Sequence, residues 1–303
     1  MVKYDKNYRS SRTTYSKGTG GRSRLPGGGV GKGLAGAGGI GGIILLIITM
    51  LTGGGGGGLG GLAGLEGSQA SPASGGATAE EASVPRNAFL EFVFDHNQEV
   101  WNDIFADAGL EYEYATFRIF EEAVATGGCG NAPSAVGPFY CPADNQVYLD
   151  QGFFDELSTR FGAPGDFAAA YVVAHEVGHH VQNVLGLSAQ TRQAQQQDPR
   201  NANQYSINLE LQADCLAGVW AFVAARDTVE IEGEGEVAIL EPGDIAEGLG
   251  AAAAVGDDRI QESAGARVNP ESWTHGSSQQ RVEEFEVGYT TGDPVQCDTV
   301  SFD

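Results

Sequence analysis

Apolar side chains recur at helical spacing in "NAFLEFVFDHNQEVWNDIFADAG", where Phe89, Val93, Val100, Trp101, Ile104 and Phe105 fall close to one face. The period then changes. "YATFRIFEEAV" and "QVYLD" read as strands, with "CPADN" at 141–145 supplying turn chemistry before the second. "QGFFDELSTRFG" predicts a short helix stopped by Gly162. After the break at Pro164-Gly165, Asp166 is a good N-cap, and Phe167, Tyr171, Ala174, Val177, Val181 and Val184 keep helical spacing until Gly186. "NQYSINLELQADCLAGVWAFVAARD" repeats that spacing with Leu209, Ala213, Leu216, Ala217, Trp220 and Val223, and further helices are predicted over 244–264 and 277–286. No internal repeat appears. The pattern predicts an α+β fold, with a small antiparallel sheet ahead of a buried helix and a mostly helical second half.

The first third is patterned differently. Residues 33–65 carry no charge around an apolar centre "IILLIITML", and a helix needs about 20 such residues to cross a bilayer. This predicts one span. Residues 1–32 hold eight Lys and Arg against the single acid Asp5, whereas from residue 66 onward there are nine Arg, no Lys and 39 acids. The basic flank is expected in the cytoplasm and the acidic part outside. The organisation predicted is a basic cytoplasmic tail at 1–33, a transmembrane helix at 34–52, a Gly/Ser/Ala-rich linker at 53–85 and a folded domain at 86–303. A cleaved signal peptide has the same order of basic and apolar parts, but its basic region would be about 32 residues long and no A-x-A site follows. "GGGVGKG" resembles a phosphate loop only loosely, since Pro26 and Gly33 stand where Gly and Ser or Thr belong. The net charge of −23 leaves no reason to expect a nucleic-acid partner.

All four cysteines follow the span. Outside the cytoplasm an even count favours disulfides. The pairing predicted is Cys129 with Cys141, a local loop, and Cys215 with Cys297, a tie from the terminal segment to a helix; four reduced core thiols are the alternative. No C-x-x-C spacing suggests a metal site among them.

The densest chemistry lies in "AYVVAHEVGHHVQNVLG". His175 and His179 are one turn apart on one helix face and can aim ring nitrogens at one ion. Glu176 lies beside them, placed to take a proton from an attacking water. Zn2+ suits this H-E-x-x-H arrangement, having no redox chemistry and an affinity for imidazole. His180 points about 100° away from His179 and reads as a neighbour. On the next helix Glu210 and Asp214 are again four apart. Acids on an apolar face need opposite charge, so Glu210 is the candidate third ligand and Asp214 the group holding a ligand histidine's N–H. Two solvated acids on a helix edge are the bland alternative. His96, with no acid obviously beside it, reads as structural. Gly178 offers room for another backbone to approach.

H-E-x-x-H followed by E-x-x-x-D resembles the gluzincin metallopeptidases. More closely, "GPFYCPADNQVYLD", "AYVVAHEVGHHVQN", "ELQADCLAGVWA", "GDDRIQ" and "THGSSQQRVEEF", after one Gly-rich span, are similar to a bacterial family described as putative neutral zinc metallopeptidases. The likeness covers most of 1–290 and is weak at 227–245. It implies a zincin-like fold and a membrane-anchored zinc endopeptidase acting on peptide or protein substrates, with Glu176 as general base and an external catalytic domain. It also singles out His275, in "WTHGSSQQR", as a further catalytic donor, with Tyr205 as a second candidate and packing or capping as the bland reading of His275. A proteolytically silent, zinc-containing cell-surface binding module is the main rival, and a membrane protein with an accidental H-E-x-x-H is another.

Overall fold

The computed structural model describes residues 1–17, 79–133, 136–159, 162–163 and 165–298. The span expected at 34–52, and the linker as far as residue 78, lie outside the described residues. Among the described residues no helix is long and apolar enough to cross a membrane.

In chain order the elements begin with β1 (Thr13–Lys17), α1 (Ala79–Asp107), β2 (Thr116–Glu121), β3 (Ala123–Ala125), β4 (Asn131–Pro133), β5 (Phe139–Cys141) and β6 (Gln146–Asp150). Then come α2 (Phe153–Thr159), α3 (Asp166–Val184), α4 (Leu187–Gln197) and α5 (Ala202–Ala224). A hairpin of β7 (Thr228–Ile231) and β8 (Gly235–Ala238) precedes α6 (Asp244–Ala254), α7 (Asp257–Ser263) and α8 (Ser278–Thr291). The fold is mixed, α+β in kind, with two small sheets ahead of a helical half that the β7–β8 hairpin interrupts.

The main sheet has the order β1-β2-β6-β5. It is not the antiparallel sheet the sequence predicts: β1 runs parallel to β2 and β2 parallel to β6, and β5 alone is antiparallel to its neighbour. The cause is connectivity. Between β2 and β6 the chain makes the β3–β4 ribbon and β5, so β6 returns in the direction of β2, and β1 arrives from the amino-terminal segment that the charge pattern assigns to a tail. Alternation along β2 sends Phe117 and Ile119 into the principal core, where Phe117 stacks on Phe94 of α1 at 4.8 Å between ring centroids, and sends Phe120 to a second cluster with Phe139 and Tyr148.

Helix α3 is buried from Phe167 to Gln182, so its imidazoles stand inside the protein. Its N-cap is Gly165 rather than Asp166, whose carboxylate instead accepts the backbone N–H of Val2 at 2.6 Å. Two close crossings set what faces it. A Cβ on Gly178 would lie 3.0 Å from the carbonyl of Ala213, so the glycine lets α5 come against the His175–His179 turn. Gly218 and Gly288 let α5 and α8 touch backbone to backbone, since a Cβ on Gly288 would stand 1.9 Å from the Cys215 carbonyl. The predicted helix 244–264 is broken at Val255-Gly256, because Asp257 turns to collect amides from the loop before α8. Ser277 caps α8 with a capping box to Gln280. Cys129 is bonded to Cys141 and Cys215 to Cys297; the second pair pins the carboxyl-terminal segment to α5.

Candidate metal centre

Burial of α3 leaves His175 and His179 pointing at α5, where Glu210 meets both. The Nε2 atoms of His175 and His179 lie 3.2 and 3.5 Å from the two carboxylate oxygens of Glu210. The three donor atoms all fall within 4.8 Å of one another, and all three residues are buried. Each ring is oriented by its other nitrogen. His175 Nδ1 is 2.9 Å from Asp214 Oδ1, and His179 Nδ1 is 2.8 Å from Gln182 Oε1, an acceptor in both cases. Nδ1 of each ring therefore carries a proton, and the Nε2 atoms converge on the space beside Glu210, where a metal would take the place of any proton they hold. Gln182 is itself held, donating to the Leu209 carbonyl at 2.7 Å and to Gln212 at 3.0 Å.

Electrostatics make the same point. Burial alone would lower the His175 pKa, yet Asp214 and Glu210 push it up to about 10. Burial would raise that of Glu210, but His179 and His175 hold it well below the usual carboxylate range. The pocket demands positive charge, and two imidazole nitrogens with one carboxylate suit zinc in both number and kind. Glu176, buried in the same cleft, is raised by desolvation against the opposing pull of His179 and His175.

Asp214 is the hub behind these three residues. Its Oδ1 accepts from Tyr171 Oη at 2.5 Å, from His175 Nδ1 and from Arg281 Nη2 at 2.9 Å, while Oδ2 accepts from Arg281 Nε at 2.8 Å. Tyr171 and Arg281 escape sequence reasoning. Arg281 sits in a motif singled out for His275, and only the α5–α8 crossing brings it to Asp214.

The cleft over these ligands is lined by Phe139, Phe153, Val172 and Val255, with His275 on its wall. Asp257 orients His275: its Oδ1 is 3.1 Å from Nδ1, and its Oδ2 accepts the backbone N–H groups of Thr274, His275 and Gly276. Burial would raise the Asp257 carboxyl, but the bond from His275 and these amides hold it below its ordinary value. Asp257 was legible as part of "GDDRIQ", though not as the partner of His275. Tyr205, half-buried at the start of α5, does not line this cleft. His180 stands apart from the ligands: Nε2–H donates to the Glu113 carbonyl at 2.5 Å, and Nδ1 accepts from Tyr140 Oη at 2.9 Å. His96 does have an acid beside it. Trp220 Nε1 donates to its Nδ1 at 2.9 Å and Asp227 lies 3.2 Å from its Nε2.

Residues 2–300 match the family described as "Putative neutral zinc metallopeptidase". The chain belongs to this family. It is 43% identical over 212 residues to a protein of Escherichia coli K12 named "Uncharacterized protein YpfJ", covering 70% of each chain. A Mycobacterium tuberculosis H37Rv protein, "Uncharacterized protein Rv2575", is 53% identical over 194 residues, 63% of this chain and 64% of that one. No solved structure matches. Zinc is the cofactor the family implies, and His175, His179 and Glu210 are the residues here that could hold it.

Proposed function

We propose that this family member is a zinc-dependent endopeptidase of zincin-like fold that works outside the cytoplasm. The observation that carries the catalytic reading is the convergence of two oriented Nε2 atoms and the Glu210 carboxylate beside Glu176, at the floor of a cleft. The two disulfides support an oxidising location.

Zinc, when bound, supplies a Lewis acid that lowers the pKa of water and polarises a carbonyl. The chain's own groups do the rest. Glu176, its proton affinity raised by burial, takes the proton of the attacking water and hands it to the departing amine. Asp257 accepts a hydrogen bond from His275 Nδ1–H and so sets the ring on the cleft wall; with a second proton on Nε2, the imidazolium can donate to the carbonyl oxygen as it gains charge. Phe139, Phe153, Val172 and Val255 suit an apolar substrate side chain.

The test uses the full chain in detergent, assayed for bound zinc and for hydrolysis of an unfolded protein. Glu176→Gln should retain stoichiometric zinc and lose hydrolysis. A parent chain that binds zinc but cleaves nothing would favour the silent binding module, and one without zinc affinity would remove the reading altogether.

A further inference from the structure

We infer that residues 1–17 are a built-in part of the folded domain, and hence that they and residues 79–298 stand on the same side of any membrane the chain meets. Three sets of contacts carry this. The first is the sheet: β1 pairs with β2 over five residues in register, from Thr13 opposite Phe117 to Lys17 opposite Glu121, and gives β2 its second neighbour. The second is a ridge of acids on α1. Glu91, Asp95 and Glu99 are spaced by four, so they share one helix face, and each is met by this segment. Both oxygens of Glu91, a residue only 1% exposed, are taken, one by the Ser10 amide at 2.6 Å and the other by the Tyr15 hydroxyl. Tyr8 Oη donates to Asp95 at 2.9 Å, and Arg12 reaches Asp95 at 3.3 Å and Glu99 at 2.9 Å. The third set is apolar: Val2 is 1% exposed, Tyr4 lies on Phe89 and Phe92, and Tyr8 meets Phe92 edge-on at 5.6 Å.

A buried carboxylate needs partners, and those of Glu91 come from residues 10 and 15. The opposite charges of the two chain regions meet here as a contact. A strand pair and a buried hydrogen bond cannot form through a bilayer, so a single crossing within 33–65, with the basic flank inside and the domain outside, is incompatible with them. This inference is independent of the peptidase reading, and its test reads no activity.

The experiment uses the full chain in the cells that express it. Asn7→Cys and Ala266→Cys, both at exposed positions, are made separately and treated with a membrane-impermeant maleimide before and after permeabilisation. The two should behave alike, both reacting in intact cells or both only after permeabilisation; one reacting without the other overturns the inference. A second variant checks the contact itself. Thr14→Cys with Arg118→Cys places thiols on directly paired residues of adjacent strands, about 4.8 Å apart and within reach of a disulfide. Mild oxidation of isolated membranes should link peptides 14 and 118 within one chain, and two free thiols would refute the docking.

Discussion

Replacing Asp214 by Asn tests how the ligand helices are held. Oδ1 receives three donors and Oδ2 one, from Arg281 Nε at 2.8 Å. An Asn oxygen belongs where the three donors are, which turns its NH2 onto Arg281 Nε, donor against donor. Arg281 is 3% exposed, so its charge is left without compensation. Breaking a buried pair from one side costs about 3–5 kcal/mol, a large share of the roughly 5–15 kcal/mol by which a domain is stable. At about 2–4 °C per kcal/mol for a domain of this size, the melting temperature should fall by roughly 6–20 °C. The effect on the metal is smaller: a lost orienting partner typically weakens affinity about 10–100-fold, or roughly 1.4–2.7 kcal/mol. Calorimetry on metal-free full-length protein isolates the first effect, and zinc competition against a chelator measures the second. Asp214→Asn with Arg281→Gln removes both charges and should recover most of the melting temperature while zinc stays weakly bound. If metal-free Asp214→Asn melts within about 2 °C of the parent, or the double variant melts no higher than the single, the charge compensation argued here is wrong.

Glu210→Ala should purify largely without zinc under conditions where the parent is loaded, as read by elemental analysis, because it removes a ligand rather than its support. His275→Ala should lower kcat by about 10²–10³-fold, the usual cost of losing a donor to a developing oxyanion, with KM little changed; Asp257→Asn should lower kcat less and leave zinc content intact. His96 gives a pH effect on stability. Burial lowers its pKa against the opposing pull of Asp227, so the folded state binds this proton less readily than the unfolded chain. Its contribution is complete above the unfolded value near 6.5 and is lost as pH falls from there toward the lower folded value. Urea melts between pH 8 and 5 should show that decline, and it should be shallower in His96→Gln.

The legible parts of the site were those whose geometry is local. His175 and His179, like Glu210 and Asp214, are placed by one turn of helix, and periodicity alone puts each pair on a face. Gln182 is also local to His179, yet a glutamine one turn on carries no signal until its ring contact is seen. What holds Asp214 is not local. Arg281 reaches it across 67 residues, and the glycines that permit this, Gly218 and Gly288, look like ordinary small residues until two helices are laid together. The same holds for His96, whose acid lies 131 residues further along. The break at Gly256 had a local signal, a glycine followed by Asp257, but what fixes it is not local: Asp257's bonds to the 274–276 amides.

Charge asymmetry along a chain has two physical causes that composition does not separate. A membrane sorts basic flanks from acidic ones, and a basic segment also complements an acidic surface within one fold. The distinguishing feature is spacing. Sorting needs only a net excess of Lys and Arg near the span, whereas docking needs acids at a helical repeat opposite groups able to reach them. Glu91, Asp95 and Glu99 have that repeat, and Arg12 touches two of them while Tyr8 and Ser10 take the bonds nearer the core. Surface ion pairs alone contribute little, about 0–1 kcal/mol each. The weight therefore falls on the buried Glu91, on the β1–β2 ladder and on the apolar contacts of Val2, Tyr4 and Tyr8, none of which a merely cytoplasmic tail would need.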